Sequence, residues 1–529
     1  MYDPLVKRAR VPKRLMRLYW ALAPMLIVLG LSLPGYNQGD LRTDSHIYTA
    51  VTLRMLQSGD FIEPMLGNNP YHNKPPLAFW LQAPALKLAN PQLFPPPMWA
   101  TRVHVLVVVM LTCLFTFFVM KELVSRRMAL GAALVVALTH EVFRYTRAVS
   151  LDMVVLLMLT AALWPLVRAA GVRRGEPRNP WIAVWSGVPI GLALLTKPIL
   201  GLLFFPIAIA WALVIRQRRL VLPLLAGVLV AIAVAAPWHI AMHLRYPDTF
   251  IRGIFGTQSL DRAMGETGEG GAAWQPLWML CRSYVPWIVP LVLALGVLII
   301  RRRSVTGDKR ADWLALLNAG TWLIALSVFS DKRMRYLAPV YPSLALLVSA
   351  WIVRWTPRLS IADVGAQVAG WKLARAARLT PYVVPIGVLV VGLGLAIAGV
   401  RVHAPPPAGR EELLQYLDSY RRDVLGEPGA LVGTATWPTL WHAPDARRTC
   451  AHIYIQRGVY PSAALSPETP WGGQPKAGDL MFFYNLAKPS ERYRPRAGDV
   501  LLGHFDTLSL VRLGSDWTGQ FEFGSAPKQ

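Results

Sequence analysis

Long apolar runs alternate with short polar stretches along most of this chain, and the runs are about as long as a bilayer is thick. Runs at 18–34, 100–120, 128–141, 153–167, 181–195, 199–215, 221–237, 285–300, 313–329, 337–353 and 382–400 each predict a membrane helix. The pattern is that of an α-helical polytopic membrane protein with about 11–13 spans by a roughly 20-residue criterion. Every second polar stretch is rich in Lys and Arg: Lys121 with Arg126 and Arg127, 168–178, Arg216 with Arg218 and Arg219, and Arg301 to Arg303. The positive-inside rule puts these, and the basic tail from Lys7 to Arg17, in the cytoplasm. No small-residue cleavage site follows the first run, so it predicts an uncleaved helix rather than a signal peptide.

The stretches between the basic ones face outward, and two are long, 35–98 and about 239–278. The first contains TDSHIYTAVTLRMLQSGDFIEPMLGNNPYHNKPPLAFW, residues 43–80, with Asp44, Asp60, Glu63, His46, His72 and Lys74. Its turn residues, Ser58-Gly59-Asp60 and Gly67 to Pro70, predict a folded segment on one membrane face. Apolar residues over 47–56 follow helical spacing and predict a short amphipathic helix lying along the interface. The second long stretch holds Arg262 and a Gly-rich run, Gly265 to Gly271, which lacks the strand and the Lys-Ser/Thr ending of a nucleotide loop and reads as a gate.

After Arg401 the apolar runs stop. Pro405 to Pro407 form a stiff linker. Glu411 to Arg422 predicts a helix, and alternating runs at 431–436, 452–456, 480–484, 500–505 and 508–513 predict strands. The chain therefore divides into a transmembrane domain, 1–400, with the outer segment 35–98, and a small soluble α/β domain, 401–529. An odd number of spans puts that domain outside the cytoplasm. No repeat of solenoid period and no inverted-repeat hydropathy is present.

Composition narrows the class further. Of 529 residues, 54% are hydrophobic and 16% charged, with mean hydropathy +0.37, too apolar for a soluble domain. The net charge of +25 would suit nucleic acid, but the cations cluster at the ends of the apolar runs, where they serve as topology signals; no nucleic-acid partner is expected. Cys113, Cys281 and Cys450 match no metal-ligand spacing.

Asp44, Lys74, Asp152, Lys197, Arg262, Lys332, Arg333, Arg335 and Tyr336 all fall on the predicted outer face. Cations there with two carboxylates suit an amphiphilic substrate with a phosphate head and a lipid tail. Lys and Arg neutralise phosphate oxygens, and a carboxylate can accept a proton from an attacking hydroxyl. Each residue also has a blander role: Asp44 as an N-cap, Asp152 as a helix-dipole partner, Lys74 snorkelling, and Lys332, Arg333 and Arg335 as headgroup anchors. His46 and His72 lack a third ligand fixed by spacing and are expected to be solvated loop histidines.

The order of these motifs resembles the GT-C integral-membrane glycosyltransferases, in particular the lipid A 4-amino-4-deoxy-L-arabinose transferases and the protein O-mannosyltransferases. The resemblance rests on Thr43-Asp44 with Tyr48, on Ser58-Gly59-Asp60, and on Pro70-Tyr71-x-x-Lys74-Pro75-Pro76. It continues through Leu151-Asp152-Met153, Thr196-Lys197, Pro237-Trp238 and Arg335-Tyr336-x-x-Pro339. It implies an inverting transfer of a sugar from a polyprenyl (undecaprenyl) phosphate to a cell-envelope acceptor such as lipid A, or a glycan or protein, at the periplasmic face of the bacterial inner membrane. It makes Asp44 and Asp152 the catalytic carboxylates. Tyr48, Tyr71, Lys74, Lys197, Arg262, Arg335 and Tyr336 would bind the lipid phosphate and sugar.

Three departures from that pattern stand out: Ser45 follows Asp44 where the family has Glu, Asn73 precedes Lys74 where it has Glu, and Gln258-Ser259 precede Arg262 where it has Glu-His. In the arabinose-transferring members the Glu and His form a metal site. With Asn73 and Ser259 in their places, no cofactor and no structural zinc are expected. A transporter or flippase of lipid-linked sugar is the rival class, but it would need ionisable residues within spans and paired broken helices.

Overall fold

The structure, a computed structural model, describes residues 13–37, 44–66, 69–90, 96–173, 175–176, 178–197, 200–251, 253–254, 271–330 and 332–355, and six short strands further along. The expected span at 382–400, the linker, the 411–422 helix, the strand at 452–456, Arg262, Ser259 and most of the Gly-rich run lie outside the described residues. Two compact units emerge: a helical unit comprising 1–36, 73–77 and 105–402, and a second comprising 37–72, 78–104 and 403–529.

In the helical unit, apolar runs become helices because a bilayer leaves no other partner for their backbone polar groups. Over the whole chain the helices among the described residues are α1 (Lys13–Ser32), α2 (Ser45–Ser58), α3 (Leu77–Leu88), α4 (Met98–Leu123), α5 (Arg126–Leu138), α6 (His140–Arg144), α7 (Leu151–Ala170), α8 (Gly187–Leu194), α9 (Phe204–Val214) and α10 (Val221–Arg245). They are followed by α11 (Gln275–Ser283), α12 (Ile288–Ile299), α13 (Lys309–Val328) and α14 (Tyr341–Trp355). Among the described residues, five helical stretches are long and apolar enough to cross a membrane, and a sixth if the 55° bend between α5 and the 140–147 segment lies within one span.

The predicted runs at 181–195 and 199–215 are short as α-helices, because each opens with a 3₁₀ segment, Pro180–Ser186 and Leu200–Leu203. A 3₁₀ turn rises faster per residue, so Pro180–Leu194 reaches roughly 26 Å, close to the hydrocarbon thickness.

Small residues let these helices approach. Gly187 and Gly191 on α8 pack onto Gly227, Ala231 and Val234 of α10, where an added Cβ would lie 2.2 Å from Gly227 O or 2.6 Å from Val234 Cβ. Ser349 on α14 donates to Met128 O of α5 at 2.7 Å beside Gly131. Such small-residue contacts are how helices associate when lipid tails are as apolar as the side chains.

At the basic-rich end, cations satisfy helix C-terminal carbonyls. Arg219 donates to Arg178 O (2.9 Å) and Ala169 O (3.2 Å), Gln217 to Ala170 O (2.9 Å), and Arg310 to Val172 O (2.8 Å). These residues close helix ends as well as carrying the topology signal. Arg310 also grips Asp308, whose carboxyl burial would raise; the Arg310 guanidinium and backbone N–H outweigh that and hold it below the usual range.

α10 does not stop at Pro237 but runs on through His239 to Arg245, so the second outer stretch opens as helix. Proline costs the most where it removes a bond within a helix, yet neighbouring helices in a membrane tolerate it.

The second unit holds the outer segment. α2 is longer than predicted and is not an amphipathic interfacial helix: Ser45 to Leu53 and Met55 are all buried. Its polar Thr49 and Thr52 are buried because α3, which the alternation pattern did not predict, brings Gln82 to them. Gln82 Nε2 donates to Thr49 Oγ1 (3.0 Å) and Thr101 O (2.9 Å), while Thr52 Oγ1 donates to Gln82 Oε1 (2.7 Å). Buried polar groups persist when satisfied in this way. His46 is 3% exposed, so it is a core residue of this packing and not a solvated loop histidine. α2 ends at Gly59, whose φ of 73° needs glycine and whose N–H donates to Met55 O at 2.9 Å. Asp60 Oδ1 then accepts from Ile62 N (2.8 Å) and Glu63 N (3.1 Å), which gives the Ser-Gly-Asp motif a turn-forming role. A two-strand hairpin, β1 (Met65–Leu66) and β2 (Asn69–Pro70), follows.

The later strands of this unit form a six-stranded mixed sheet. They are β3 (Thr434–Ala435), β4 (Ala464–Ser466), β5 (Thr469–Trp471), β6 (Leu480–Tyr484), β7 (Val500–Phe505) and β8 (Leu508–Arg512), in the order β5-β4-β3-β6-β8-β7. β3 pairs parallel with β4 and β6; the other pairs are antiparallel.

Candidate active site

Three motifs that are far apart in the chain converge in the helical unit. Asp152 lies in the first turn of α7, where the positive end of the helix favours a carboxylate. Lys197 lies just past α8, in a turn fixed by Thr196 N and Lys197 N, which both donate to Ala193 O at 2.9 and 2.8 Å. Arg335 and Tyr336 lie on the 3₁₀ segment Met334–Val340, which packs on α7.

Lys197 Nζ donates to Asp152 Oδ1 at 2.5 Å, and Arg335 Nε stands 3.5 Å from Asp152 Oδ2. The Tyr336 ring faces both cations, 4.7 Å from Lys197 Nζ and 5.8 Å from the Arg335 guanidinium carbon. The side chains of Asp152, Lys197 and Arg335 are 10%, 13% and 14% exposed. Charges this far from water persist only when paired, and among the described residues the ion pairs of this cluster set two cations against one carboxylate. An anion is what completes such a cluster, and a phosphate oxygen fits the donors.

Lys74 lies in the turn before α3, and Leu77 N, three residues on, donates to Leu195 O at 3.0 Å. The Lys-Pro-Pro corner is thereby tied to the turn that carries Lys197. Lys332 is committed elsewhere: its Nζ donates to Gly271 O (2.6 Å) and Phe329 O (2.7 Å).

In the second unit, Asp44 takes the N-cap position of α2, yet its side chain makes no capping hydrogen bond. Tyr48 OH approaches Asp44 Oδ2 at 3.5 Å. The Tyr48 and Tyr71 rings both pack on Phe79, at 6.2 and 6.3 Å between centroids, and both are buried. His72 is half-buried, and that burial lowers its pKa from 6.5, partly offset by Glu63.

The sequence pattern passed over Glu141, Arg144 and Tyr145. Glu141 is 2% exposed and accepts from Arg144 Nη2 at 2.7 Å. An acidic residue closing an otherwise apolar run, as Glu141 does at 128–141, is the signal that marks it. Among the described residues no group of three or more His, Cys, Asp and Glu side chains is arranged to hold a metal.

Comparison with known proteins finds similarity in both sequence and fold. Residues 73–240 match the family model described as dolichyl-phosphate-mannose-protein mannosyltransferase. The undecaprenyl phosphate-alpha-4-amino-4-deoxy-L-arabinose arabinosyl transferase of Pectobacterium carotovorum subsp. carotovorum (strain PC1) is 27% identical over 363 residues, covering 66% of this chain and 61% of that protein. The protein of the same description from Aeromonas salmonicida (strain A449) is 28% identical over 344 residues, covering 63% and 59%. The matches thus span about three-fifths of the length of these curated relatives.

Among solved structures, ArnT from Cupriavidus metallidurans in the apo state has a TM-score of 0.66 at 16% identity, covering 94% of this chain and 99% of that one. The same protein bound to undecaprenyl phosphate scores 0.61 at 16% identity, covering 93% and 97%. The archaeal oligosaccharyltransferase AglB from Archaeoglobus fulgidus scores 0.54 at 13% identity, covering 89% and 70%. At such identity the likeness is one of fold: this chain has the helical fold seen in ArnT.

Proposed function

We propose that this GT-C protein is an inverting glycosyltransferase that moves a sugar from undecaprenyl phosphate, or a related polyprenyl phosphate, to a cell-envelope acceptor such as lipid A. The observation that carries this reading is the Asp152 carboxylate clasped by Lys197 and Arg335, a partly sheltered cluster with two cations about one carboxylate among the described residues. The activity for which the arabinosyl transferase relatives are named, and the undecaprenyl phosphate bound in a protein of similar fold, support it.

In the reaction, the acceptor hydroxyl attacks the anomeric carbon, and the bond from that carbon to the phosphate oxygen breaks. The polyprenyl phosphate leaves with the electron pair, and the hydroxyl proton passes to a carboxylate. Asp44 is the proposed base, since its side chain caps nothing in α2. Lys197, Arg335 and Tyr336 would neutralise and hold the phosphate, Lys74 and Arg262 would share that role, and Asp152 would orient the cations. Tyr48 and Tyr71 would flank the sugar. Two-point Arg and Lys contacts strengthen as charge builds on the leaving phosphate, which is where they accelerate the reaction.

The active face would be periplasmic, because the basic loops belong to the cytoplasm. Asn73 carries no charge where the metal-binding relatives' pattern has Glu, and an uncharged amide is a poor zinc ligand. A protein acceptor is the second reading, favoured by the match of 73–240 to the protein mannosyltransferase model.

The test is mass spectrometry of envelope lipids, glycans and proteins from cells lacking the chain, complemented with wild type or Asp44→Asn at equal protein level. A glycosyl mass that returns with wild type alone supports transfer and identifies the acceptor. Full rescue by Asp44→Asn would move the flippase reading ahead.

A further inference from the structure

The turn between α6 and α7 contains two arginines with different fates. Arg147 is spent on the end of α1: it donates to Ser32 O (3.2 Å), Gly35 O (3.3 Å) and Pro34 O. Arg144 is not spent in this way. Its Nη2 bonds the buried Glu141 carboxylate at 2.7 Å and lies 3.4 Å from Tyr145 OH, while its side chain remains 41% exposed. The guanidinium carbon also lies 5.2 Å from the Tyr145 ring centre.

This cluster borders the Asp152 site. α6 packs against the 3₁₀ segment 334–340 that carries Arg335, and Tyr145 lies within electrostatic reach of Glu141, Arg144, Arg335 and Asp152. Glu141 and Tyr145 thus hold the Arg144 fork at Nη2 while the side chain keeps 41% of its surface open to solvent. A planar fork held at one edge is pre-organised to accept a phosphate at the other. Adding Arg144 and Glu141 to Lys197, Arg335 and Asp152 sets three cations against two carboxylates among the described residues.

We infer that Arg144, braced by Glu141, is a further binding residue for a lipid-linked phosphate: the donor's phosphate or a phosphate on the acceptor lipid. The inference rests on the proposed transferase reading. Glu141 acts as a positioning residue, since it reaches the ligand only through Arg144.

The test uses the full chain in nanodiscs and measures equilibrium binding of two probes, undecaprenyl phosphate and lipid A, with dephosphorylated lipid A as control. Arg144→Gln alone would strand Glu141, so the Glu141→Gln/Arg144→Gln double variant, which leaves a neutral pair, is measured beside it with thermal unfolding of each. Loss of a charge-assisted contact predicts an affinity at least about tenfold weaker in both variants. Arg144→Lys keeps the charge but not the fork, and restores only part of it.

Weakening for undecaprenyl phosphate assigns Arg144 to the donor. Weakening for lipid A, with no change for the dephosphorylated form, assigns it to the acceptor. Unchanged affinity for both probes, with unfolding matched to wild type, overturns the inference and leaves Arg144 as a headgroup anchor. Failure of the wild-type chain to bind undecaprenyl phosphate would instead overturn the transferase reading, and the lipid A comparison would still report on Arg144.

Discussion

Lys197 and Asp152, 45 residues apart in sequence, form a 2.5 Å ion pair because α8 ends where α7 begins. Both side chains are largely sheltered, and removing one partner strands the other. Lys197→Met should destabilise the protein by about 3 kcal/mol and abolish transfer. The Asp152→Asn/Lys197→Met double variant should recover most of that stability and none of the activity. Thermal unfolding in nanodiscs beside a transfer assay separates the two effects; a double variant as unstable as the single would show that the pair is not what holds the region.

Asp44 offers a cleaner separation of chemistry from folding. A capping aspartate replaced by alanine costs roughly 1 kcal/mol, but the Asp44 side chain makes no cap bond in α2. Asp44→Ala should therefore lose transfer without the drop in unfolding temperature that removal of a cap brings. A lower unfolding temperature with activity retained would return Asp44 to a capping role.

Much of the helical architecture was legible because a bilayer accepts only satisfied backbones, so apolar length alone fixes where α4, α7, α10 and α13 lie. The Asp152, Lys197 and Arg335 positions were legible as a motif order, but their convergence was not, since no local pattern encodes which helix ends meet. α3 was hidden by Pro84 and by its place in a segment read as loop. The burial of α2 was hidden because its Thr49, Thr52 and His46 look polar; only Gln82, on an element not foreseen, makes their burial affordable. The glycine pair of α8, four residues apart at Gly187 and Gly191, is a helix-contact signal that was present in the sequence and overlooked.

His72 gives a pH prediction. Burial lowers its folded-state pKa below 6.5, so as pH falls through 6.5 the unfolded chain takes up the proton first. The stabilisation is present above that value and is lost below it. Thermal stability of wild type should decline on acidification past pH 6.5, and His72→Gln should flatten that part of the profile. An unchanged slope in His72→Gln would assign the acid sensitivity to other groups.

The α8–α10 contact links packing to the candidate site, because Ala193 O at the end of α8 anchors the turn that carries Lys197. A Cβ at Gly191 would meet Val234 Cβ at 2.6 Å and Ala231 O at 2.7 Å, and neither backbone nor a β-branched carbon can yield cheaply. Gly191→Ala should cost about 1–3 kcal/mol by overpacking and should lower transfer by shifting Lys197 away from Asp152. Gly320→Ala on α13 is the matched control: nothing lies within 4 Å of its added methyl. There the substitution should leave transfer intact and add up to about 1 kcal/mol from helix propensity. If both variants lose activity alike, the effect is general to the fold; if only Gly191→Ala does, close approach of α8 and α10 is what sets the Lys197–Asp152 distance.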